Sequence, residues 1–307
     1  MSQKNNLVPV FYGVLGAFFF AFTFVLNRLM SVGGGSWIWS ASGRFFFMLP
    51  LLLCIVGVRK GIRPLFNEMR KNIGQWLLWS TVGFGFFYAA LTYSASYAPS
   101  WIIASTWQIT IIAGLIVAPW ISKKHTVIDK KTYFFSFLII LGIFFMQLQH
   151  ASAVSLKDTL IGVFFVILAA FSLPLGNRKM MQITQGNLDA FQRSLGMTIA
   201  SMPFWILLAG IGGMTVALPS SDQLCNTFLV AIGSGIFGTA LFFKATDMVR
   251  KDQKALASVE ATQAAEVIFA LVGEVFLLGM ALPDGLSLLG VGIVILGMLL
   301  HLSLIHI

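Results

Sequence analysis

Three carboxylic acids, Glu260, Glu266 and Glu274, lie within one apolar stretch at 255–280. A charged side chain at the centre of a bilayer costs roughly 2.5–3.5 kcal/mol or more. Acids in such a stretch either carry a proton or cation, or hold a neighbouring helix. At ~1.5 Å rise per residue, Glu266 falls near the middle of the stretch, Glu260 near its start and Glu274 toward its end. At ~100° per residue, Glu260 and Glu274 share a face with Gln263 and Val267, and Glu266 points elsewhere. Glu266 is the first candidate for a protonatable or cation-binding group; the alternative is a structural carboxylate bonded to another helix. Lys244 closes the preceding stretch about as far from its end as Glu260 is from the next start. The two are expected to form a buried ion pair, structural or acting as a gate. Alternatively, Lys244 snorkels to the interface.

The arginines add a second pattern. Asn27-Arg28 is followed by Arg44, and Asn177-Arg178 by Arg193, at nearly the same spacing and about 150 residues apart. Other text recurs at a similar offset: Tyr88-Ala89-Ala90-Leu91-Thr92-Tyr93 resembles Gly238-Thr239-Ala240-Leu241-Phe242-Phe243, and Thr106-Trp107-Gln108 resembles Ala261-Thr262-Gln263. Self-similarity at a fixed offset marks an internal duplication. Polar and aromatic groups cluster in the same stretches: Thr23 and Asn27; Tyr88, Thr92 and Tyr93; Ser105, Thr106, Trp107, Gln108 and Thr110. They suit a central cavity for an amphipathic organic solute, or else polar contacts between helices.

The elements that must position these residues follow from composition. Of 307 residues, 58% are hydrophobic and 10% charged, and the mean hydropathy is +0.88. A soluble domain is about one quarter charged, so this chain belongs in lipid. Its net charge of +9 does not indicate nucleic-acid binding, because the basic residues sit in short loops between apolar runs. A bilayer core needs about 20 apolar residues per helix. Ten stretches qualify: 7–31, 36–58, 74–97, 99–121, 133–149, 157–179, 189–211, 225–248, 255–280 and 284–303. Continuous hydrophobicity argues against a β-barrel, whose strands alternate.

Loop charge sets orientation. Arg59, Lys60, Arg63, Arg70 and Lys71 occupy one loop; Lys123, Lys124, Lys130 and Lys131 another; Lys179, Arg250, Lys251 and Lys254 further ones. The alternate loops hold a single basic residue, Lys157. Positive loops stay in the cytoplasm, which puts both termini there. The fold class expected is an all-α membrane protein of ten spanning helices, arranged as repeats at 1–151 and 152–307. Five is odd, so tandem repeats point opposite ways across the bilayer. Such inverted repeats make inward-open and outward-open shapes nearly equal in energy, as alternating access requires.

Other features read more plainly. Cys54 and Cys225 fall near opposite faces, so no disulfide is expected. The first run is too long for a signal-peptide core and is retained as a span. Leu302-Ser303-Leu304-Ile305-His306-Ile307 reads as a non-native terminus. Lipid contact accounts for most of the 29 phenylalanines. Gly83, Gly85, Gly233, Gly235 and Gly238 allow close helix approach. Gly33-Gly34-Gly35 is not a phosphate cradle, lacking a following Lys-Ser/Thr. There is no His-Glu-x-x-His run, Cys/His cluster or Walker-type loop. No metal, cofactor or enzymatic turnover is expected.

The arginine early in the second stretch of each repeat (Arg44, Arg193), the Ala-Leu-aromatic text of the third, and the Glu-containing ninth (Ala265-Glu266-Val267 through Leu278-Gly279) resemble the drug/metabolite transporter superfamily. The likeness is to its ten-helix form with paired EamA-type repeats, in the multidrug-efflux-like subgroup, and covers nearly the whole chain. Val267 stands where the family often has Pro, Met280 where it often has Glu, and Ile111 at the matching site of the first repeat. The resemblance implies outward movement of a small organic solute across a bacterial inner membrane. The residues suggest alternating access with proton exchange at Glu266. Gln263, Trp107, Gln108, Asn27, Tyr88 and Thr92 would contact the solute. Alternatives are an importer or facilitator for an amino acid or sugar, a lipid-flippase subunit or receptor-like scaffold, and an intramembrane enzyme. Partners are the solute, protons and lipids; the sequence does not choose between monomer and homodimer.

Overall fold

The computed structural model describes residues 7–59, 61–121, 130–150 and 155–303. Lys60, Lys123, Lys124 and residues 304–307 of the terminal string lie outside the described residues. Among the described residues all regular structure is helical. The first helices are α1 (Leu7–Val32), α2 (Trp37–Arg59) and α3 (Arg63–Lys71). Next comes an interrupted rod: α4 (Ile73–Ser80), a π-helical segment (Thr81–Phe86) and α5 (Phe87–Ser94). A second interrupted rod joins α6 (Ser100–Trp107) to α7 (Ile109–Ile121), and α8 is Lys130–His150. Then follow α9 (Leu156–Thr184), α10 (Ala190–Thr215), and α11 (Ser221–Val230) with a π-helical segment (Ala231–Gly238) and α12 (Thr239–Met248). The last are α13 (Gln253–Ala261), a 3-10 segment (Thr262–Ala264), α14 (Ala265–Leu278) and α15 (Gly285–Ser303).

Six helical rods are long and apolar enough to cross a membrane: Leu7–Val32, Trp37–Arg59, Lys157–Thr184, Ala190–Thr215, Ser221–Met248 and Ser258–Leu278. Tyr133–Met146 and Gly285–Gly297 are shorter apolar helices. The two remaining apolar stretches of the sequence form the interrupted rods around Thr81–Phe86 and Gln108.

Local chemistry explains the boundaries. Asp189 starts α10 with a capping box: its carboxylate accepts from Gln192 N at 2.9 Å, and Gln192 Oε1 accepts from Asp189 N at 3.1 Å. Ahead of it, Gln185 (φ 48°) and Gly186 (φ 81°) take left-handed conformations that end α9. Ser220 caps α11 through Gln223 N.

One element is a correction. The stretch 59–73, expected as a basic loop, contains the amphipathic helix α3. Its Leu65 is fully buried and reaches Gly196 of α10, where an added Cβ would lie 2.8 Å from Leu65 Cδ1. A two-turn helix rich in Arg and Lys has too few apolar positions to announce itself by periodicity.

The core runs in three connected clusters. One joins α2, α4, α10 and α12 around Phe45, Trp76 and Trp205; a second centres on Trp107 and α9; a third is built on α8, α14 and α15. Where helices meet most closely, glycines face each other. A Cβ on Gly83 would come within 3.0 Å of Gly176 Cα, so the π segment after α4 crosses α9 backbone to backbone. Gly83→Val should therefore destabilise the protein by about 1–3 kcal/mol through overpacking. Gly74→Ala, whose Cβ meets open space, should leave stability unchanged or slightly raised. Thermal unfolding of both variants in detergent checks the contrast.

Candidate functional site

Helix interruptions surround the centre of the bundle. A π turn accommodates an extra residue and recurs at functional sites. The π segments Thr81–Phe86 and Ala231–Gly238 stand at matching positions of their rods. In the neighbouring rods, helix breaks at Gln108 and at the 3-10 segment Thr262–Ala264. The two breaks touch: Gln108 Nε2 donates to Gln263 O at 3.1 Å and to Ala104 O at 2.9 Å.

These segments wall a narrow central chamber with a free volume of about 30 Å³. Phe20, Thr23 and Phe24 come from α1, and Arg44, Phe45 and Met48 from α2. Phe84, Phe87, Leu91, Trp107 and Leu173 form the opposite wall. Ser234, Thr239, Phe242, Phe243, Gln263 and Glu266 complete it. The wall is mainly apolar and strongly aromatic, with a few polar groups, the usual composition of a small-molecule site.

The 3-10 segment explains a departure from the helical-wheel expectation. Residues three apart eclipse in a 3-10 helix, so Gln263 and Glu266 look into the same chamber instead of facing apart. Of the other sequence candidates, Trp107 and Arg44 line the chamber. Asn27, Tyr88, Thr92 and Gln108 are buried beside it and are not among its lining residues. Asn27 Nδ2 donates to the Tyr88 hydroxyl at 3.1 Å. The Tyr88 ring lies 3.9 Å beneath the Arg44 guanidinium. Both residues orient Arg44.

The expected Lys244–Glu260 ion pair is not formed. Lys244 is exposed; its Nζ bonds the Tyr12 hydroxyl at 2.8 Å and sits 4.1 Å over that ring. Glu260 instead meets Arg178 in a two-pronged pair, Nη2–Oε2 at 2.6 Å and Nε–Oε1 at 3.1 Å, with both side chains buried. Gly114 makes room for it: a Cβ there would lie 2.8 Å from Glu260 Oε2. The physical reason is reach. A bidentate guanidinium matches a buried carboxylate better than an ammonium that can extend to water.

The remaining intramembrane charges are also partnered, Glu266 excepted. Arg193 pairs with Asp247 and lies 4.2 Å over Phe243. Glu274 accepts from Ser100 Oγ, and from Trp101 N at 3.1 Å. Arg28 donates to Ala95 O at 3.1 Å, with Glu274 as its charged neighbour. Glu266 is 1% exposed; Arg44, 3% exposed, is held by Tyr88 through its hydroxyl and ring, and its Nε, like that of Arg193, makes no bond. Neither Glu266 carboxylate oxygen has a hydrogen-bond partner, nor does Arg44 Nε. Neither side chain forms an ion pair among the described residues. Cys54 and Cys225 are free and exposed, and no group of acids, histidines and cysteines fit to hold a metal occurs among the described residues.

Sequence reasoning did not find Asp247 as the partner of Arg193, or Ser234 and Thr239 in the chamber wall. Asp247 carried a signal, an acid in the last turn of a spanning stretch, but a contact 54 residues away in sequence leaves no local trace. Ser234, whose hydroxyl meets Thr23 at 2.5 Å, lay hidden in text that reads as glycine-rich packing.

A wider crevice of about 990 Å³, open to solvent, lies at the end of the bundle carrying the basic connections. Arg59, Asp189, Lys244, Asp247, Arg250 and Asp252 line it. Arg193 and Phe243 stand between this vestibule and the chamber, because Phe243 lines the chamber while Asp247 lines the vestibule.

The apolar rods and the buried charge network define a multi-pass helical membrane protein with a mainly apolar chamber between its helices. A family model described as "EmrE: Putative multidrug resistance efflux transporter" matches residues 7–306, and the chain belongs to that family. It is 48% identical over 302 residues to "Uncharacterized protein YjlA" of Bacillus subtilis (strain 168), covering 94% of this chain and 92% of that protein. It is 47% identical over 273 residues to "Uncharacterized 42.1 kDa protein in intracellular alkaline protease 3'region" of Shouchella clausii, covering 87% of this chain and 72% of that one. A solved crystal structure shares the fold at a TM-score of 0.67, with 12% identity over 99% of this chain and 98% of that chain.

Removing one partner of a buried ion pair costs about 3–5 kcal/mol. Glu260→Gln should lower stability on that scale, and Arg178→Met/Glu260→Met should recover much of the loss. Lys244→Met should change stability by less than about 0.5 kcal/mol. Unfolding curves in detergent test all three.

Proposed function

We propose that this protein is a secondary transporter that moves small organic solutes outward across the bacterial inner membrane by alternating access, exchanging them for protons at Glu266. The observation that carries the reading is the unpartnered Glu266 carboxyl group in an aromatic-lined chamber. A buried carboxyl without a hydrogen-bonding partner needs either a proton or a cation. A group that alternates between the two couples their movements.

Membership of the efflux family supports the direction. The recurrence of structure about 150 residues along the chain supports two repeats, 1–151 and 152–307, each of five spanning helices. Both have a π segment in the third rod and a break in the fourth. Interrupted helices at the meeting of two repeats are where transporters of this architecture bind solute. The Arg193–Asp247 contact and the Arg178–Glu260 pair lie toward the vestibule end and close the chamber on that side. The basic connections gathered there support a cytoplasmic placing of that end, with both termini.

Glu266→Gln should reduce pH-gradient-driven solute movement in proteoliposomes to the protein-free baseline while thermal unfolding stays near wild type. Undiminished coupling in this variant would remove the proton role. Trp107→Ala should weaken solute affinity by about tenfold, the worth of one lost aromatic contact. Unchanged affinity would mean that Trp107 does not touch the solute.

A further inference from the structure

The helix α3 links the apolar rod α2 to the interrupted rod that begins with α4, so it lies along the end of the bundle. Its inner face is fixed at one point. Leu65 and Trp76 both press on Gly196, where an added Cβ would stand 2.8 Å from Leu65 Cδ1 and 2.5 Å from Trp76 Cζ3. Gly196 belongs to the second turn of α10, a helix of 26 residues and so about 39 Å long. The hydrocarbon core is roughly 30 Å thick. The first turn of α10 therefore stands at headgroup level, with α3 beside it.

The outer face of α3 carries only positive charge. Arg63, Phe66, Asn67, Arg70 and Lys71 are exposed, and at ~100° per residue they share one side of the helix. The acid of this helix, Glu68, is 8% exposed and takes the Lys71 ammonium at 2.6 Å. Arg63 and Arg70 meet no acid among the described residues. Phe66, 40% exposed, lies between them, and Ile73, 58% exposed, opens α4 just beyond. At the end of α2, the Arg59 guanidinium lies 4.6 Å over the Phe191 ring.

We propose that the exposed side of α3 is a docking surface for anionic phospholipid, whose phosphate meets Arg63 and Arg70 and whose upper acyl chains lie against Phe66 and Ile73. Arg59, Lys60, Arg63, Arg70 and Lys71 follow directly on an apolar rod, the charge pattern that attracts acidic lipid. A helix with cations on one side and an apolar wedge on the other is the form that lies in the headgroup layer. Guanidinium forks match phosphate oxygens in two-pronged bonds. A choline lipid also offers phosphate, but its own cation offsets that charge. A soluble polyanion satisfies the arginines and leaves Phe66 and Ile73 uncovered. Docking at this surface is independent of what the chamber carries.

The test titrates dioctanoylphosphatidylglycerol and dioctanoylphosphatidylcholine onto the purified full chain in neutral detergent, with affinity read from the concentration dependence of the melting temperature. The glycerol lipid should bind at least about tenfold more tightly than the choline lipid. Arg63→Gln/Arg70→Gln should weaken its binding roughly 25-fold, about fivefold for each basic side chain at an acidic surface. Lys130→Gln/Lys251→Gln removes two exposed charges elsewhere and should leave that affinity unchanged. The wild-type comparison of lipids stands even where a variant fails to fold. Equal affinity for the two lipids on the wild type, or a preference fully kept by the α3 variant, overturns the proposal. So does an equal loss in the lysine variant, which would make net charge the cause. Glycerol 3-phosphate binding as tightly as the glycerol lipid also overturns it, because the surface would then take a soluble organophosphate.

Discussion

Charge buried in hydrocarbon must find a partner, and this bundle is organised around that demand. Arg178 with Glu260 joins α9 to α13, and Arg193 with Asp247 joins α10 to α12. Glu274 takes the hydroxyl of Ser100 and the free amide of Trp101 in the first turn of α6, where a helix start offers unsatisfied donors. Each contact links rods distant in sequence at a fixed depth. Among the described residues Glu266 stands apart, a buried carboxyl group with neither oxygen bonded, while Arg44 beside the same chamber is held by Tyr88.

The sequence displayed the rods and hid their partners. All ten apolar stretches are helical, because long apolar runs in lipid admit little else, and their ends differ from expectation by only a few residues. Glu266, Trp107, Gln263 and Arg44 stood out as polar or aromatic groups in apolar text, and all four line the chamber. The choice among carboxylates was harder. Lys244 and Glu260 looked like partners because they sit equally deep on consecutive rods. Depth alone does not decide which face of a helix meets which, and Arg178 reached Glu260 first. Similarly, nothing in the letters Thr262-Gln263-Ala264 announces a 3-10 turn, yet that turn rotates Gln263 into line with Glu266. Asn27, Tyr88 and Thr92 have the chemistry of a binding site but sit one layer back, where Asn27 and Tyr88 fix the orientation of Arg44.

The recurrence of interruptions gives the repeat reading we propose its physical content. The π segments occupy equivalent places, and the Gln108 amide bridges to the backbone of the other break. Irregular backbone within a membrane is tolerated only where it is covered by protein or lines a cavity; here it does both. The matching is incomplete in side chains, since Ile111 and Glu266 answer each other only by position. On the repeat reading we propose, the scaffold carries a single acidic group on one side of its chamber, which is then chemically lopsided within a duplicated frame.

Away from that chamber, α8 and α15 lie along each other so closely that a Cβ on Gly142 would stand 2.6 Å from Gly290 O, and one on Gly290 would stand 2.6 Å from Gly142 O. Neither helix contributes a lining residue to the chamber. Their contact depends on small residues: hydrogen stands in place of methyl at Gly142, Gly290 and Gly297. Such a joint behaves like the spine of a book. On the alternating-access reading we propose, it would keep its geometry while the chamber opens to either side. In divergent relatives that handle different molecules, this stave pair should change last in shape and first in lipid-facing composition.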